Sequence, residues 1–303
     1  MAQSNILLES GTNELEVLEF VIAGNSFGIN VAKVTELMQA QKIQKMPNSH
    51  PMIEGVFQPR NEVYTLLNLP LYLNLPISTN PDKDIYIITN FNRISIAFHV
   101  HAVESIHRIS WQEIEKPDSI IYGGFEGVVT GIAKVGNRII SILDFEKITY
   151  DVSPETGVHM DEVLQSEMHS ASDYPILIAE DSPLLRRMIQ EALKIAGYTH
   201  VIMTTNGEEA WRFLTDIKEH ADVPIMEQVR LVITDIEMPR MDGHKLIKLV
   251  NSDPVLKQIP VIIFSSLIDA QMEIKGREVG ASAQLSKPDI GKLVGMINEI
   301  IKK

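Results

Sequence analysis

Cysteine is absent from all 303 residues, which excludes disulfides, thiolate metal sites and cysteine nucleophiles. The sequence also contains no run of about 18 apolar residues, so no membrane-spanning helix is expected. The N-terminus, MAQSNILLESGTNELE, has neither a basic segment nor a long apolar one, and it is therefore not a signal peptide. These absences predict a cytoplasmic protein without direct membrane insertion.

Basic residues are in the minority, with 27 Lys and Arg against 40 Asp and Glu and a net charge of −13. The segment 173–303 contains 16 Lys and Arg against 19 Asp and Glu, a net charge of −3, so the segment 1–172 carries −10. No basic patch could follow a phosphate backbone, which argues against a nucleic-acid partner. Anionic membrane surfaces should repel the first half of the chain.

The pattern of apolar residues changes along the chain. Residues 14–150 contain short or alternating apolar runs broken by Gly, Asn and Pro, which predicts an antiparallel all-β domain. Residues 174–303 alternate apolar runs with amphipathic stretches, which predicts an α/β domain with a parallel sheet. Residues 151–173 contain several Ser and acidic side chains with one Pro and one Gly, and we interpret them as a linker.

The β domain contains an internal repeat. The segment from Ile53 to Leu69 aligns without a gap on the segment from Val129 to Phe145, and Gly55 aligns with Gly131. A weaker match places Phe27–Leu37 over Ile96–Ile106. Two copies of a small β unit explain both matches better than chance likeness does.

Chemistry-bearing residues follow four predicted strands of the α/β domain. Glu180 and Asp181 follow the first of these strands, Asp235 follows the second, Ser265 the third and Lys287 the fourth. Because the carboxyl ends of parallel strands lie along one edge of a sheet, these side chains should converge.

The convergent residues suit phosphoryl transfer. Three carboxylates with no Cys or His among them favour Mg²⁺. A carboxylate can act as nucleophile towards a phosphoryl group, while a metal ion and an ammonium group neutralise the phosphoryl oxygens. A hydroxyl can donate a hydrogen bond to the bound phosphate.

Residues 174–303 resemble the receiver domains of two-component signalling. The resemblance rests on Asp-x-x-Met-Pro-x-Met-Asp-Gly at 235–243, on Ser-Lys-Pro at 286–288, and on the spacings from Asp235 to Ser265 and from Ser265 to Lys287. It implies a flavodoxin-like (βα)5 fold with Asp235 as phosphoacceptor. It also implies Mg²⁺ bound by Glu180, Asp181, Asp235 and the backbone carbonyl of Glu237, with Ser265 sensing the phosphate and Lys287 pairing with it.

This segment departs from the receiver pattern at three points. Glu180 stands where Asp is commoner, and Gln284 stands where an aromatic residue usually swings inward on phosphorylation. The stretch from Asp181 to Asp235 is longer than is usual in the family, and we place the extra length in Glu219–Gln228.

Residues 14–150 resemble the CheW family of coupling domains. The resemblance rests on Phe27-Gly28-Ile29, Ile53-Glu54-Gly55-Val56, Val129-Thr130-Gly131-Ile132 and Leu143-Asp144. It implies two small packed β-barrels that bind the histidine kinase CheA and chemoreceptor cytoplasmic tips. Arg60, in a loop between two predicted strands, is a candidate partner contact. His99 and His101 could form a metal site, although no third ligand is evident and a solvent-facing or partly buried pair is the simpler interpretation.

A coupling domain followed by a receiver is similar to the CheV family of chemotaxis adaptors. That resemblance implies a non-enzymatic adaptor regulated by Mg²⁺-dependent phosphorylation of Asp235 by CheA. The alternative function is a phosphate sink that drains phosphoryl groups from CheA, and the rate of dephosphorylation would separate the two. A phosphohydrolase is disfavoured because Glu237 occupies the position of the Asp that would serve as general acid.

Overall fold

The computed structural model describes residues 13–91, 94–117, 127–154, 173–220, 222–267, 270–287 and 289–301. The chain divides into two compact units, the first built mainly from residues 15–157 and the second mainly from residues 158–303. Most of the predicted linker and Pro288 of the Ser-Lys-Pro motif lie outside the described residues. No helix in the described part of the chain is long and apolar enough to cross a membrane.

In the residues that the structure describes, the first unit contains ten strands and two short helices. The strands are β1 Glu14–Ile22, β2 Asn25–Asn30, β3 Val34–Gln39, β4 Ile53–Phe57, β5 Tyr64–Asn68, β6 Ile85–Phe91, β7 Ile94–Val100, β8 Ala102–Ser110, β9 Val129–Val135 and β10 Arg138–Leu143. The helices are α1 Leu69–Tyr72 and α2 Phe145–Val152. Helix α2 includes the first two residues assigned to the linker.

The ten strands form two five-stranded sheets with equivalent orders. The first sheet has the order β8-β1-β2-β10-β9, and the second has the order β3-β6-β7-β5-β4. Strand β3 follows β2 in sequence but joins the second sheet, whereas β8 follows β7 but joins the first. Each sheet therefore combines two strands from one half of the repeat with three strands from the other half.

Each sheet is closed by a β-bridge that joins the segment after one outer strand to the other outer strand. Beyond β3, Gln44 pairs with Val56 of β4, and beyond β8, Glu115 pairs with Ile132 of β9. The aligned glycines allow both closures, because a Cβ on Gly55 would overlap the backbone of Gln44 and a Cβ on Gly131 would overlap Ile114. The prediction of two small β-barrels is confirmed, and the internal repeat has a physical cause.

The repeat also extends to the helices. Hairpin β4–β5 is followed by α1, whose first turn is capped by the side chain of Asn68, and hairpin β9–β10 is followed by α2, capped by Asp144. The side chain of Asn68 accepts a hydrogen bond from the backbone of Leu71 at 2.7 Å. Phe145 of α2 packs edge-on against Phe98 of β7, with ring centroids 4.6 Å apart, in the buried core of the unit.

The second unit is an α/β domain with a five-stranded, all-parallel sheet. Its strands are β11 Ile176–Ala179, β12 Val201–Thr204, β13 Leu231–Thr234, β14 Val261–Ser265 and β15 Ala283–Ser286. Its helices are α3 Pro183–Ile195, α4 Gly207–His220, α5 Ile225–Gln228, α6 Gly243–Ser252, α7 Ala270–Glu278 and α8 Ile290–Ile301. The order β12-β11-β13-β14-β15 is the flavodoxin-like arrangement, so the predicted fold class is confirmed.

Two apolar clusters cover the opposite faces of this sheet. Ile178 and Phe264 belong to one cluster, and Leu177 and Ile263 belong to the other, because side chains alternate along each strand. The segment Glu219–Gln228, where we placed the extra length, contains the end of α4 and the short helix α5.

Candidate functional site

The structure brings the predicted site residues of the α/β unit to one edge of its sheet. Ala179 is in register with Thr234, so the residues that follow them, Glu180 and Asp235, leave neighbouring strands side by side. Ser265 pairs with Ser286, and the backbone N–H of Lys287 donates to the carbonyl of Ser265 at 3.1 Å.

Three carboxylates form the centre of the site. Glu180, Asp181 and Asp235 each offer a carboxylate oxygen, and these oxygens lie within 4.8 Å of one another. Glu180 and Asp235 are buried, whereas Asp181 is partly exposed. An oxygen-only set of this charge suits a hard divalent cation such as Mg²⁺, which retains some of its waters. The residues therefore fit the predicted metal.

The buried ammonium group of Lys287 lies between two of these carboxylates. Its Nζ is 2.7 Å from Oδ2 of Asp235 and 3.3 Å from Oε2 of Glu180. A buried charge requires a partner of opposite sign, and Lys287 supplies one to both acids.

Burial raises the pKa of Glu180 well above its ordinary value, while the charge of Lys287 opposes that rise. The neighbouring charges of Asp235 and Asp181 raise the pKa further. A single ammonium group leaves an excess of negative charge among three ionised acids. The site thus favours either protonation of Glu180 or the arrival of another cation.

Backbone interactions fix the position of Asp235. Its N–H donates to the carbonyl of Ala179 at 3.0 Å, and its Oδ1 accepts a hydrogen bond from the N–H of Ile236 at 2.6 Å. The loop then folds back so closely that a Cβ on Gly243 would overlap the carbonyl of Asp235. Glycine at this position of the motif is therefore a steric requirement.

Asp242 caps the helix that follows this loop. Its side chain accepts a hydrogen bond from the N–H of Lys245 at 2.7 Å, in the first turn of α6. Burial raises the pKa of Asp242 to about 6, although this hydrogen bond and the charge of Lys245 act in the opposite direction.

Sequence reasoning missed Arg186, which organises the acidic pair. Its Nη1 donates to the backbone carbonyls of Glu180 at 2.6 Å and Asp181 at 2.8 Å. The arginine lies on α3, and its place one turn after Pro183 was the signal available in the sequence. It holds the backbone of the acidic pair and leaves both carboxylates directed at the site.

The remaining predicted residues are less constrained by the structure. Ser265 is fully buried, and its Oγ accepts a long hydrogen bond from the N–H of Leu267 at 3.4 Å. Glu237 lies half-buried in the loop after Asp235. The metal-binding role of its carbonyl stays a prediction, as do the roles predicted for Asp235, Ser265 and Lys287.

In the β unit, Arg60 lies in the loop between β4 and β5. Its side chain is 77% exposed and pairs with Glu36 of β3 at 2.9 Å. An exposed guanidinium group in a loop is available to a partner, which is consistent with the predicted contact.

His99 occupies a different environment, buried between two acids. Its Nδ1 lies 2.7 Å from Glu54 and its Nε2 lies 2.9 Å from Asp84. Burial alone would lower the pKa of His99, but the two carboxylates raise it. His101 instead accepts a hydrogen bond from the backbone of Ala23 through Nδ1 at 3.0 Å. Their separate partners support a structural role for both histidines.

Comparison with known proteins identifies both units. The CheW-like domain model matches residues 16–153, and the response regulator receiver domain model matches residues 176–298. Chemotaxis protein CheV3 of Helicobacter pylori is 28% identical over 302 residues, covering 96% of each chain. Chemotaxis protein CheV1 of the same organism is 27% identical, covering 95% of this chain and 94% of its own.

The second unit alone is similar to shorter proteins. Chemotaxis protein CheY1 of Helicobacter pylori is 33% identical over 113 residues, covering 37% of this chain and 84% of its own. A CheW-like domain followed by a response regulator receiver domain, in a chain similar to CheV proteins over nearly its whole length, shows that this chain belongs to the CheV family of chemotaxis adaptors.

Proposed function

We propose that the chain couples chemoreceptors to the histidine kinase CheA, and that Asp235 accepts a phosphoryl group from this kinase in a Mg²⁺-dependent reaction. The observation that carries the proposal is the position of the Asp235 carboxylate, which lies within 4.8 Å of two further acids and 2.7 Å from the ammonium group of Lys287. This combination supplies a nucleophile, a cation site and a fixed positive charge.

The chemistry follows from these groups. An oxygen of Asp235 attacks the phosphorus of a phosphohistidine, and a P–O bond forms while the P–N bond of the donor breaks. Bound Mg²⁺ supplies positive charge to the phosphoryl oxygens. Lys287 gives up part of its pairing with Glu180 and pairs with the phosphoryl group. The hydroxyl of Ser265, at the end of the adjacent strand, donates a hydrogen bond to it.

Replacing Asp235 with Asn tests the phosphoacceptor. The full-length chain, mixed with labelled phospho-CheA and Mg²⁺, should take up label on one base-labile acyl phosphate. Asp235→Asn should take up none, because an amide oxygen is too weak a nucleophile. Asp216→Asn is the matched control, since Asp216 is an exposed acid of the same unit, and it should label like the wild type. Unchanged labelling of Asp235→Asn would remove the assignment.

Arg60 tests the coupling function. We propose that its exposed guanidinium group contacts CheA or a receptor tip, where arginine often contributes strongly to binding. In a pull-down with both partners, Arg60→Ala should retain about fivefold less of one of them, as expected for the loss of about 1 kcal/mol. Lys134→Ala is the control, because Lys134 is similarly exposed and paired with an acid, Glu115. Equal retention by both variants would contradict the proposed contact.

A further inference from the structure

The side chain of Gln284 on β15 makes a hydrogen bond to the backbone of α7. Gln284 lies on β15, opposite Ile263 of β14. Its Nε2 donates to the backbone carbonyl of Glu273 in α7 at 2.8 Å. One hydrogen bond from a strand side chain thereby ties the strand to the backbone of the helix.

Gly276 provides the space for this contact. A Cβ at position 276 would overlap the amide group of Gln284, including its Oε1, Cδ and Nε2 atoms. Gly276 is in the body of α7, where glycine is unfavourable compared with alanine. The amide lies across one helical turn, from Glu273 to Gly276, and any larger residue at 276 would displace it.

The contact provides a hydrogen-bond partner for the Nε2 group of Gln284 but not for its carbonyl oxygen. The Oε1 atom of Gln284 is buried and has no hydrogen-bond partner among the described residues. A buried carbonyl oxygen without a donor costs free energy, so an arrangement that releases the amide can compete with this one. The contact is therefore able to open.

The strand pair that carries Gln284 also carries the candidate phosphate-binding residues. Ser265 and Ser286 pair two residues beyond Ile263 and Gln284, and Lys287 follows directly. Ile263 and Ser265 are two residues apart on β14, so their side chains share a face of the sheet. Gln284 pairs with Ile263, and Ser265 and Gln284 therefore lie on the same face. If Ser265 turns towards a phosphoryl group, it loses its 3.4 Å contact with Leu267, which leads towards α7.

We propose that the Gln284 amide, seated against Gly276, is a latch that holds α7 on β15 in the unphosphorylated receiver, and that phosphorylation of Asp235 opens it. This inference rests on the proposed phosphorylation. Because the latch favours the unphosphorylated state, it weakens the binding of a phosphoryl group, and a bound phosphoryl group weakens the latch by the same factor. Removing the latch should then strengthen the binding of a phosphoryl analogue.

The test uses the full-length chain with Mg²⁺ and beryllofluoride, an analogue of the phosphoryl group. Gln284→Met keeps the length of the side chain and loses the hydrogen bond. It should bind beryllofluoride about fivefold more tightly than the wild type, a factor equivalent to one net hydrogen bond. Gly276→Ala should produce the same shift by displacing the amide. Hydrogen exchange of α7 should be faster in Gln284→Met before the analogue is added, and in the wild type only afterwards.

Gln258→Ala is the control, because the exposed side chain of Gln258 also donates to a backbone carbonyl, that of Val255 at 3.1 Å, and it should leave binding unchanged. Equal or weaker analogue binding by Gln284→Met, with wild-type exchange in α7, would overturn the latch while leaving the phosphorylation proposal intact. Failure of the wild type to bind beryllofluoride would instead count against the phosphorylation proposal itself.

Discussion

The side chain of Asp242 stabilises the start of α6 as a helix cap, but the burial of its charge is unfavourable. Its pKa in the folded chain is about 6, whereas the ordinary value is 3.8. Between these two values the folded state holds a proton that the unfolded state has released. The free energy of unfolding of the receiver unit should therefore fall as the pH rises from about 4 to about 6. Above about pH 6 the whole of this loss should be present.

Asp242→Asn should remove this cost, because asparagine caps helices as well as aspartate does and carries no charge. At pH 7.5 the variant should be more stable than the wild type by up to about 3 kcal/mol, the equivalent of a pKa difference of about 2. At pH 4 the two should be equal. Urea unfolding at both pH values measures the difference, and a gain of the same size at pH 4 would show that the charge is not its cause.

Residues at strand ends were predictable because a simple geometric rule brings them together. Once Glu180, Asp235 and Lys287 were placed after parallel strands, their convergence followed from the sheet, and the structure brings them within hydrogen-bonding or metal-binding distance. Arg186 was not predictable in this way, since its role depends on reaching back over the backbone of the acidic pair. The Gln284 contact was also inaccessible, because it depends on the space left by Gly276 on another element.

Helix starts followed from local sequence rules. Ser182 and Pro183 are residues typical of a helix start, and the side chain of Ser182 accepts a hydrogen bond from the backbone of Leu185 at the start of α3. Glycine is typical of a helix end, and Gly197 adopts the left-handed conformation two residues after α3, with φ +95°. Both signals lie within a few residues of the feature that they specify.

Strand β12, in contrast, was not located from the sequence. Val201–Thr204 is a short edge strand, and three of its four residues are only partly buried. Its apolar run, Val201-Ile202-Met203, is as long as that of β13, so composition does not separate the two strands, whereas β11 and β13 are both fully buried. Pairing with β11 rather than local composition determines this strand.

The division into two compact units predicts two separate thermal transitions in the intact chain. Mg²⁺ should raise only the transition of the receiver unit, because the acidic cluster belongs to that unit. At ten times Kd the native state should gain about 1.4 kcal/mol. Calorimetry of the full-length chain over a Mg²⁺ titration measures this shift.

Asp181→Ala should lose most of the Mg²⁺ effect, since one of the three carboxylates is gone. Without metal, the variant should be no less stable than the wild type, because a repulsion among like charges has been removed. Asp222→Ala, a change to an exposed acid of the same unit, should respond to Mg²⁺ as the wild type does. An undiminished response from Asp181→Ala would show that these acids do not share a metal ion.

The arrangement of the two β sheets could be anticipated only in part. The internal repeat predicted two similar barrels, but the exchange of strands between the two halves depends on pairings between distant segments that no local pattern specifies. The repeat in the sequence identifies which strands are equivalent, but it does not identify the sheet that each strand joins.

This exchange has a consequence for the order in which a newly synthesised chain can fold. Strand β2 pairs with β10, whose last residue is Leu143, and the first sheet needs β8 before β1 gains its second neighbour. The second sheet likewise waits for β6 before β3 can pair. Neither barrel can therefore close on the ribosome before strands from the second half of the repeat have emerged. Such non-local pairing slows folding, and until the second half appears the early strands keep unpaired edges that a chaperone or another nascent chain could bind.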